Sequence, residues 1–244
     1  MPRFHVSVPL ASNTELPLPS GAARHVQVLR LQPGATVTLF NGQGGEWDAQ
    51  ILKMGRSEVQ VAVGAHHAIE REARRAVRLC TGLMASDRMD WLVEKATELG
   101  ATCFTPVLAE RSSLRLSGER AEKKRAHWQA VAISACEQSG RNQVPEVQAQ
   151  LGLEALIAAL GAQEAAGPRL LLSLEPDALP LGQAVSKLTS EHEPVTVLSG
   201  PEGGLSPREE AAARAAGFAP VTLGPRVLRA ETAPLAALAV LLNA

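Results

Sequence analysis

Short apolar runs recur along the whole chain. From residue 76 onward they alternate with longer stretches whose apolar positions fall three and four apart. The first pattern predicts strands and the second predicts helices. Over residues 1–70 the runs Phe4–Val8, Thr36–Phe40, Trp47–Leu52 and Glu58–Val63 are short and carry β-branched or aromatic residues. This part is therefore expected to be β-rich. Asn41-Gly-Gln-Gly-Gly45 between two of the runs reads as a hairpin turn. It has neither the Lys-Ser/Thr pair nor the following helix that a phosphate loop needs. The charged segment Glu70-Arg-Glu-Ala-Arg-Arg75 marks a change of pattern. The expected organisation is a first domain over 1–70, a linker over 71–75 and a second domain over 76–244.

In the second domain Val77–Met84, Thr102–Val107, Arg169–Leu174, Pro194–Ser199 and Ala219–Leu223 read as strands. Asp87–Leu99 reads as a helix, with Met89, Leu92, Val93, Ala96 and Leu99 at helical spacing, Asp87 as its cap and Gly100 as its end. Glu119–Gln138 is a second, with Trp128, Val131, Ala132, Ala135 and Cys136 on one face. Ser206-Pro-Arg-Glu209 is a capping box with Pro at the first helical position, opening a helix that runs to Gly217. Pro234–Leu242 is apolar but far too short to span a bilayer, and reads as a buried helix. Strands alternating with helices imply an α/β fold: a parallel sheet with helices on both faces.

Two loops near the C-terminus carry the chemistry. Ser199-Gly-Pro-Glu-Gly-Gly-Leu-Ser206 and Leu223-Gly-Pro-Arg-Val-Leu-Arg-Ala-Glu-Thr-Ala233 each follow a predicted strand and lead into a predicted helix. Ligands of open α/β sheets sit beyond the carboxyl ends of strands, so the two loops suggest one shared small-molecule pocket. No Gly-x-Gly-x-x-Gly follows the strand at 77–84, and no Walker lysine follows Gly200–Gly204, which disfavours nicotinamide and ATP chemistry. No Gly-x-Ser-x-Gly elbow is present. His66 and His67 are adjacent rather than spaced along one helix face, so no metal site is expected.

Composition narrows the picture further. Hydrophobic residues make up 45% of the 244 positions, enough for a proper core, and with aromatics at 3% that core must rest on Leu, Val and Ala. The formal net charge of −1 is uneven: +2 over 1–75, +2 over 76–145 and −5 over 146–244. The first two-thirds is the better face for a polyanion. Candidate contacts to RNA phosphates are Arg3, Arg24, Arg30, Arg111, Arg115, Lys123, Lys124 and Arg125. Arg141 and Asn142, in the loop-like stretch 139–145, are expected to touch RNA or an interface. Asp90, Glu94 and Glu98 lie four apart on one helix ridge, which reads either as a solvated acidic face or as a site whose charge Arg111, Arg141 or a partner's arginine could answer. Three cysteines, Cys80, Cys103 and Cys136, match no zinc spacing, and an odd number argues against a disulfide framework. They read as reduced thiols of a cytoplasmic protein without a signal peptide.

Gly-Pro-Glu-Gly-Gly at 200–204 and the segment 223–233 resemble the bacterial 16S rRNA uracil-N3 methyltransferase family, a branch of the SPOUT (trefoil-knot) methyltransferases. The resemblance covers nearly the whole chain. Arg88-Met-Asp-x-x-x-Glu-Lys-Ala-Thr-Glu-Leu-Gly100 is similar to the family's first helix. Glu110-Arg-Ser112 and Ala135-Cys-Glu-Gln-Ser-Gly-Arg-Asn-Gln-Val-Pro145 are similar to its middle motifs. His25-Val-x-Val-Leu-Arg30 with Leu39-Phe-Asn-Gly42 is similar to its N-terminal RNA-binding barrel. Ala35 and Asn41 stand where the family usually has Asp, and Arg88 and Asp90 replace Lys and Glu.

The resemblance implies a PUA/OB-like β-barrel followed by a parallel sheet whose chain end threads through a loop. It implies a homodimer whose active sites are completed by the partner subunit. S-adenosylmethionine (SAM) would be held by three loops, here Leu172–Glu175, Ser199–Gly204 and Leu223–Arg229. The implied cofactor-binding residues are Leu172, Ser173, Ser199, Gly200, Glu202, Gly203, Gly204, Leu223, Gly224, Val227 and Leu228. The implied reaction methylates N3 of a uridine of the small ribosomal subunit, the family's target being uridine 1498 of 16S rRNA. Arg229 is the candidate to stabilise the developing imidate. Glu202 and Glu231 are candidates to take the N3 proton, with Glu98 and Glu137 behind them. Glu202 could instead hold its loop, Glu231 could cap the last helix, and Arg229 could merely pair with Glu231. Also open are another RNA target (a tRNA base or a ribose 2′-hydroxyl), a non-catalytic RNA-binding module and a small-molecule methyltransferase.

Overall fold

A computed structural model describes residues 1–56, 58–162 and 167–242. The chain divides into two compact units: 1–72 with 133–144, and 73–132 with 145–244. The expected linker ran over 71–75, whereas the units separate after Glu72 and the segment 133–144 returns to the first unit.

The first unit holds strands β1 (Arg3–His5), β2 (Thr14–Pro17), β3 (Thr36–Phe40), β4 (Glu46–Met54) and β5 (Val59–His67), and helix α1 (Ser20–Val28). The sheet order is β1-β3-β4-β5-β2, with β1 parallel to β3 and the other pairs antiparallel. The turn at Asn41–Gly45 joins the antiparallel pair β3 and β4, as its composition predicts. Sequence periodicity misses α1 because its buried positions are Ala22, Ala23 and Val26, a weak apolar stripe. Phe4, Val6, Leu39, Ile51 and Val61 fill the core with them.

Beside that core lies a charged network. Glu46 accepts hydrogen bonds from Arg3 (2.5 Å), Arg71 (2.9 Å) and Asn142 (3.2 Å). Arg3 also donates to the Asn142 side chain and lies 4.9 Å above the Phe40 ring. Arg141 is bidentate on Glu72, at 2.5 and 3.0 Å. Arg141 and Asn142 are both buried. Arg3, Arg141 and Asn142, expected at RNA or an interface, are thus held by partners inside this unit. Buried ions must be paired, and these are.

The second unit holds an eight-stranded parallel sheet of β6 (Val77–Gly82), β7 (Cys103–Leu108), β8 (Glu146–Val147), β9 (Leu151–Gly152), β10 (Arg169–Leu172), β11 (Leu179–Pro180), β12 (Val195–Ser199) and β13 (Phe218–Thr222). The order is β11-β13-β10-β12-β6-β7-β8, with β9 also on β7. The helices are α2 (Ser86–Leu99), α3 (Gly118–Ser139), α4 (Leu153–Gly161), α5 (Leu181–Val185), α6 (Pro207–Ala215) and α7 (Thr232–Leu242). Successive strand residues point to opposite faces, and both faces are covered. Val77, Leu79, Leu170 and Val197 pack with Met89, Leu92, Trp128 and Leu238 of α2, α3 and α7. Cys80, Leu171 and Leu198 pack with Leu156 of α4 and Ala213 of α6.

Asp87 lies in the first turn of α2 rather than capping it; Ala85 is the cap residue, with no side-chain bond. The capping box Ser206–Glu209 is present in full. The acidic ridge of α2 is answered from nearby. Lys95 bridges Glu94 and Glu98, and Asp90 accepts from Trp128 and contacts His127. Arg111 instead donates to the Gly203 and Leu205 carbonyls.

Burial alone would raise the Glu46 carboxyl, but hydrogen bonds from Arg71, Arg3 and Asn142 outweigh it and hold it at about 2. Its stabilising contribution is complete above its ordinary value of 4.5 and is lost as pH falls towards about 2. Glu46→Gln is expected to cost about 1–3 kcal/mol at pH 7, since it leaves donors poorly paired. Urea midpoints of the two proteins should converge over that acid window. A gap unchanged down to the acid limit would mean that the carboxylate's charge contributes nothing.

Candidate active site

β13, β10 and β12 are neighbours and parallel, so their carboxyl ends open onto one edge of the sheet. A cavity of about 730 Å³ lies there. The turns after β10, β12 and β13 form its walls, which is where ligands of parallel sheets sit. Ten of the eleven cofactor-binding residues expected from sequence line it. The exception is Ser199, the last residue of β12, which is buried with its hydroxyl unpaired.

The turn after β12 depends on close backbone approach. A Cβ on Gly82 would collide with the Pro201 backbone nitrogen and ring. A Cβ on Gly200 would fall 2.7 Å from the Leu205 nitrogen. Glu202 then fixes the turn from outside: one carboxylate oxygen accepts from the Ala85 N–H and the other from the Ser113 hydroxyl, both at 2.9 Å. Arg111 donates to the carbonyls of Gly203 and Leu205 at 3.1 and 3.3 Å. Burial alone would raise the Glu202 carboxyl, but the Ala85 N–H, the Ser113 hydroxyl and Arg88 together hold it below its ordinary value. With both oxygens engaged, Glu202 is built as an anchor of the loop rather than as a ready proton acceptor. Arg111, expected at RNA, is committed to the same loop.

Arg229 lines the cavity, with its side chain 76% exposed and 3.9 Å from Glu231. Glu231 is buried and does not line the cavity. Its second oxygen is 4.0 Å from Arg88 and accepts no hydrogen bond. Arg88 also stands 3.6 Å from Glu202. One arginine of α2 therefore faces a carboxylate from each of the two C-terminal loops. Sequence reading registered Arg88 only as a departure from a motif. The available signal was its place, just past the carboxyl end of β6 on the same sheet edge. Glu98 is tied to Lys95, and Glu137 belongs to the first unit, where it accepts from the His5 N–H.

Of the remaining basic candidates, Lys124 contacts Ser86, Lys123 pairs with Glu119, and Arg125 pairs with Glu122. Arg115 is exposed and donates to the Glu110 carbonyl. Arg24 and Arg30 are exposed and make no ion pair among the described residues. Within those residues no group of His, Cys, Asp and Glu could hold a metal ion. No helix of theirs is long and apolar enough to cross a membrane.

Comparison with known proteins decides the family. A model of the RNA methyltransferase domain matches residues 71–242, and one of the RNA methyltransferase PUA domain matches residues 18–64. The chain belongs to the RNA methyltransferase family. The ribosomal RNA small subunit methyltransferase E of Synechocystis is 35% identical over 215 residues, covering 87% of this chain and 67% of the relative. The enzyme of that name from Neisseria gonorrhoeae, solved with S-adenosyl methionine bound, is 36% identical with a TM-score of 0.87, over 98% of this chain and 95% of the other. A methyltransferase of Legionella pneumophila, solved with the cofactor SAM bound, is 33% identical with a TM-score of 0.90, over 98% and 96%. The methyltransferase match takes in nearly all of the second unit together with 71–72 and 133–144 of the first, and the PUA match lies in the first.

Glu202→Ala is expected to loosen the methyltransferase turn at 200–205. The Ala85 amide loses a charged acceptor worth about 1.5–3 kcal/mol, so its hydrogen exchange should quicken about tenfold or more. Unchanged exchange at Ala85 would remove Glu202 as the anchor.

Proposed function

We propose that this protein transfers a methyl group from SAM to N3 of a uridine of 16S rRNA in the small ribosomal subunit. Uridine 1498 is the specific target proposed. The observation that carries the reading is the three-loop cavity at the carboxyl ends of β10, β12 and β13, with Arg88 and Arg229 around Glu231 at its border. SAM-bound relatives of the same fold support it.

The cavity suits SAM on its own terms. Its volume is that of a small-molecule site. Leu172, Leu205, Val221 and Leu228 offer apolar walls to an adenine, and glycines at 200, 203, 204 and 224 leave backbone groups open to approach. When bound there, SAM supplies an electrophilic methyl on a sulfonium. The Leu172–Glu175, Ser199–Gly204 and Leu223–Arg229 turns are its proposed holders, with the chain end threaded as a trefoil knot.

The N3 edge of uracil is buried inside a duplex, so the base must be presented unpaired or flipped out. Arg229 is free to lean over the uracil carbonyls and stabilise the charge that develops as N3 loses its proton. Arg88 adds a second positive charge beside it. Glu231 is the positioning residue that keeps both arginines at the site. With Glu202 committed to its loop and Glu231 buried, the proton passes to solvent once the arginines have lowered its cost.

Arg24 and Arg30 of the PUA-like unit are the proposed RNA contacts, together with Arg115 and Lys123. The protein is proposed to work in the cytoplasm as a homodimer, which would bury the exposed Trp91, Leu99 and Val240 of α2 and α7. The cysteines fit a reducing compartment: Cys80, Cys103 and Cys136 are free, and burial pushes the Cys80 and Cys136 thiols up to about 12.

The direct test is transfer from labelled SAM to unmodified small subunits and to free 16S rRNA, followed by nucleoside analysis. 3-Methyluridine is the expected product, and a methylated tRNA base or ribose would overturn the assignment. In single turnover at saturating SAM, Arg229→Ala should slow transfer about a hundredfold, the size seen when one oxyanion donor is lost. A rate near wild type would remove Arg229 from the chemistry. Arg24→Ala and Arg30→Ala should each reduce the slope of log affinity for RNA against log salt by about one. A residue whose loss leaves the slope alone does not touch phosphate.

A further inference from the structure

One carboxylate in the cavity wall has no part in the scheme above. Glu210, in the first turn of α6, lines the cavity beside the turn after β10. Its Oε1 accepts the Ser173 hydroxyl at 2.5 Å and an Arg214 N–H at 3.2 Å. The Ser173 hydroxyl oxygen accepts the Glu175 N–H at 3.1 Å, so its own donor and acceptor are both used. Oε2 of Glu210 accepts nothing among the described residues and is not sealed from solvent. A fixed carboxylate thus presents one open acceptor to the cavity.

We infer that Glu210 binds the ribose diol of the nucleoside cofactor. The inference rests on the reading of this cavity as the SAM site. Two groups of SAM could donate to a carboxylate: the ribose hydroxyls and the methionine ammonium. Desolvation cost selects between them. Arg214, bonded to Oε1, is itself doubly bonded to Asp177 at 2.6 and 3.0 Å, so its charge does not decide the choice. A neutral hydroxyl at Oε2 gains a charge-assisted hydrogen bond and gives up less hydration than an ammonium does. The same pairing of an acidic side chain with ribose hydroxyls recurs in dinucleotide sites beyond parallel strands. Ser173 and Arg214 act here as positioning residues, since they fix the Glu210 rotamer.

The test uses the full-length protein and calorimetric titration with SAM, with 5′-methylthioadenosine, which keeps the diol but lacks the ammonium, and with the 2′,3′-dideoxy form of the latter. Wild type is expected to bind methylthioadenosine about tenfold or more better than its dideoxy form, the value of a hydrogen bond to a charged group. Glu210→Ala should weaken SAM and methylthioadenosine by the same factor and no longer distinguish the dideoxy form. Equal binding of both nucleosides by wild type overturns the inference, and that comparison needs no variant to fold. Weaker SAM with unchanged methylthioadenosine in Glu210→Ala also overturns it, because Glu210 would then hold the ammonium. Failure of wild type to bind either SAM or methylthioadenosine would instead sink the reading of the cavity itself.

Discussion

The methyltransferase unit depends on one contact between two pieces of backbone. The chain leaving β6 at Gly82 runs against the chain leaving β12 at Pro201, with no room for a side chain between them. β6 and β12 are parallel neighbours, so both turns necessarily leave by the same edge. The contact converts that topological fact into a site. It brings the Ala85 amide to the Glu202 carboxylate and starts α2 where Arg88 reaches both C-terminal loops. A Cβ at 82 would push the turns apart and separate all of these groups together.

Much of this was legible in the sequence, because the sheet is buried on both faces. Strands such as Val77–Gly82 and Val195–Ser199 are then rich in apolar and β-branched residues, and such segments stand out. The loops were legible for a related reason: glycines clustered after a strand and before a capping box have few other uses. α1 was not legible because alanines carry its buried face. β8, β9 and β11, at two residues each, are too short to leave a pattern. The return of 133–144 to the first unit was equally hidden, since α3 runs unbroken across the boundary between Ala132 and Ile133.

The charged residues were the hardest to place. Composition treats every arginine as a surface cation, yet burial with a partner removes several from that role. Arg3 and Arg141 are spent on Glu46 and Glu72, and Arg111 on two loop carbonyls. Arg24 and Arg30 keep their charge for solvent or a ligand. Arg3 meets Glu46 and Arg141 meets Glu72 across more than forty residues of chain, so only the fold reveals these pairs. The recognition motif at 223–233 named Arg229 and Glu231 but was silent on Arg88, the third member of their group.

The spacing within that group has a chemical consequence. Glu231 stands 3.9 and 4.0 Å from Arg229 and Arg88, close enough for Coulomb attraction and beyond hydrogen-bonding distance. The carboxylate holds two guanidinium groups near the cavity without occupying their N–H donors. Arg88 is shared with Glu202 at 3.6 Å, so the group as a whole is two cations and two carboxylates, with Arg229 its most exposed member. In the proposed reaction a neutral uracil would gain little from Arg229, whereas the anion formed as N3 gives up its proton would gain more. A closer, bidentate pair would have been the more stable arrangement for the resting protein. It would also have spent on Glu231 the donors that the proposed reaction assigns to the base, so on that proposal the looser geometry suits the transition state better than the ground state.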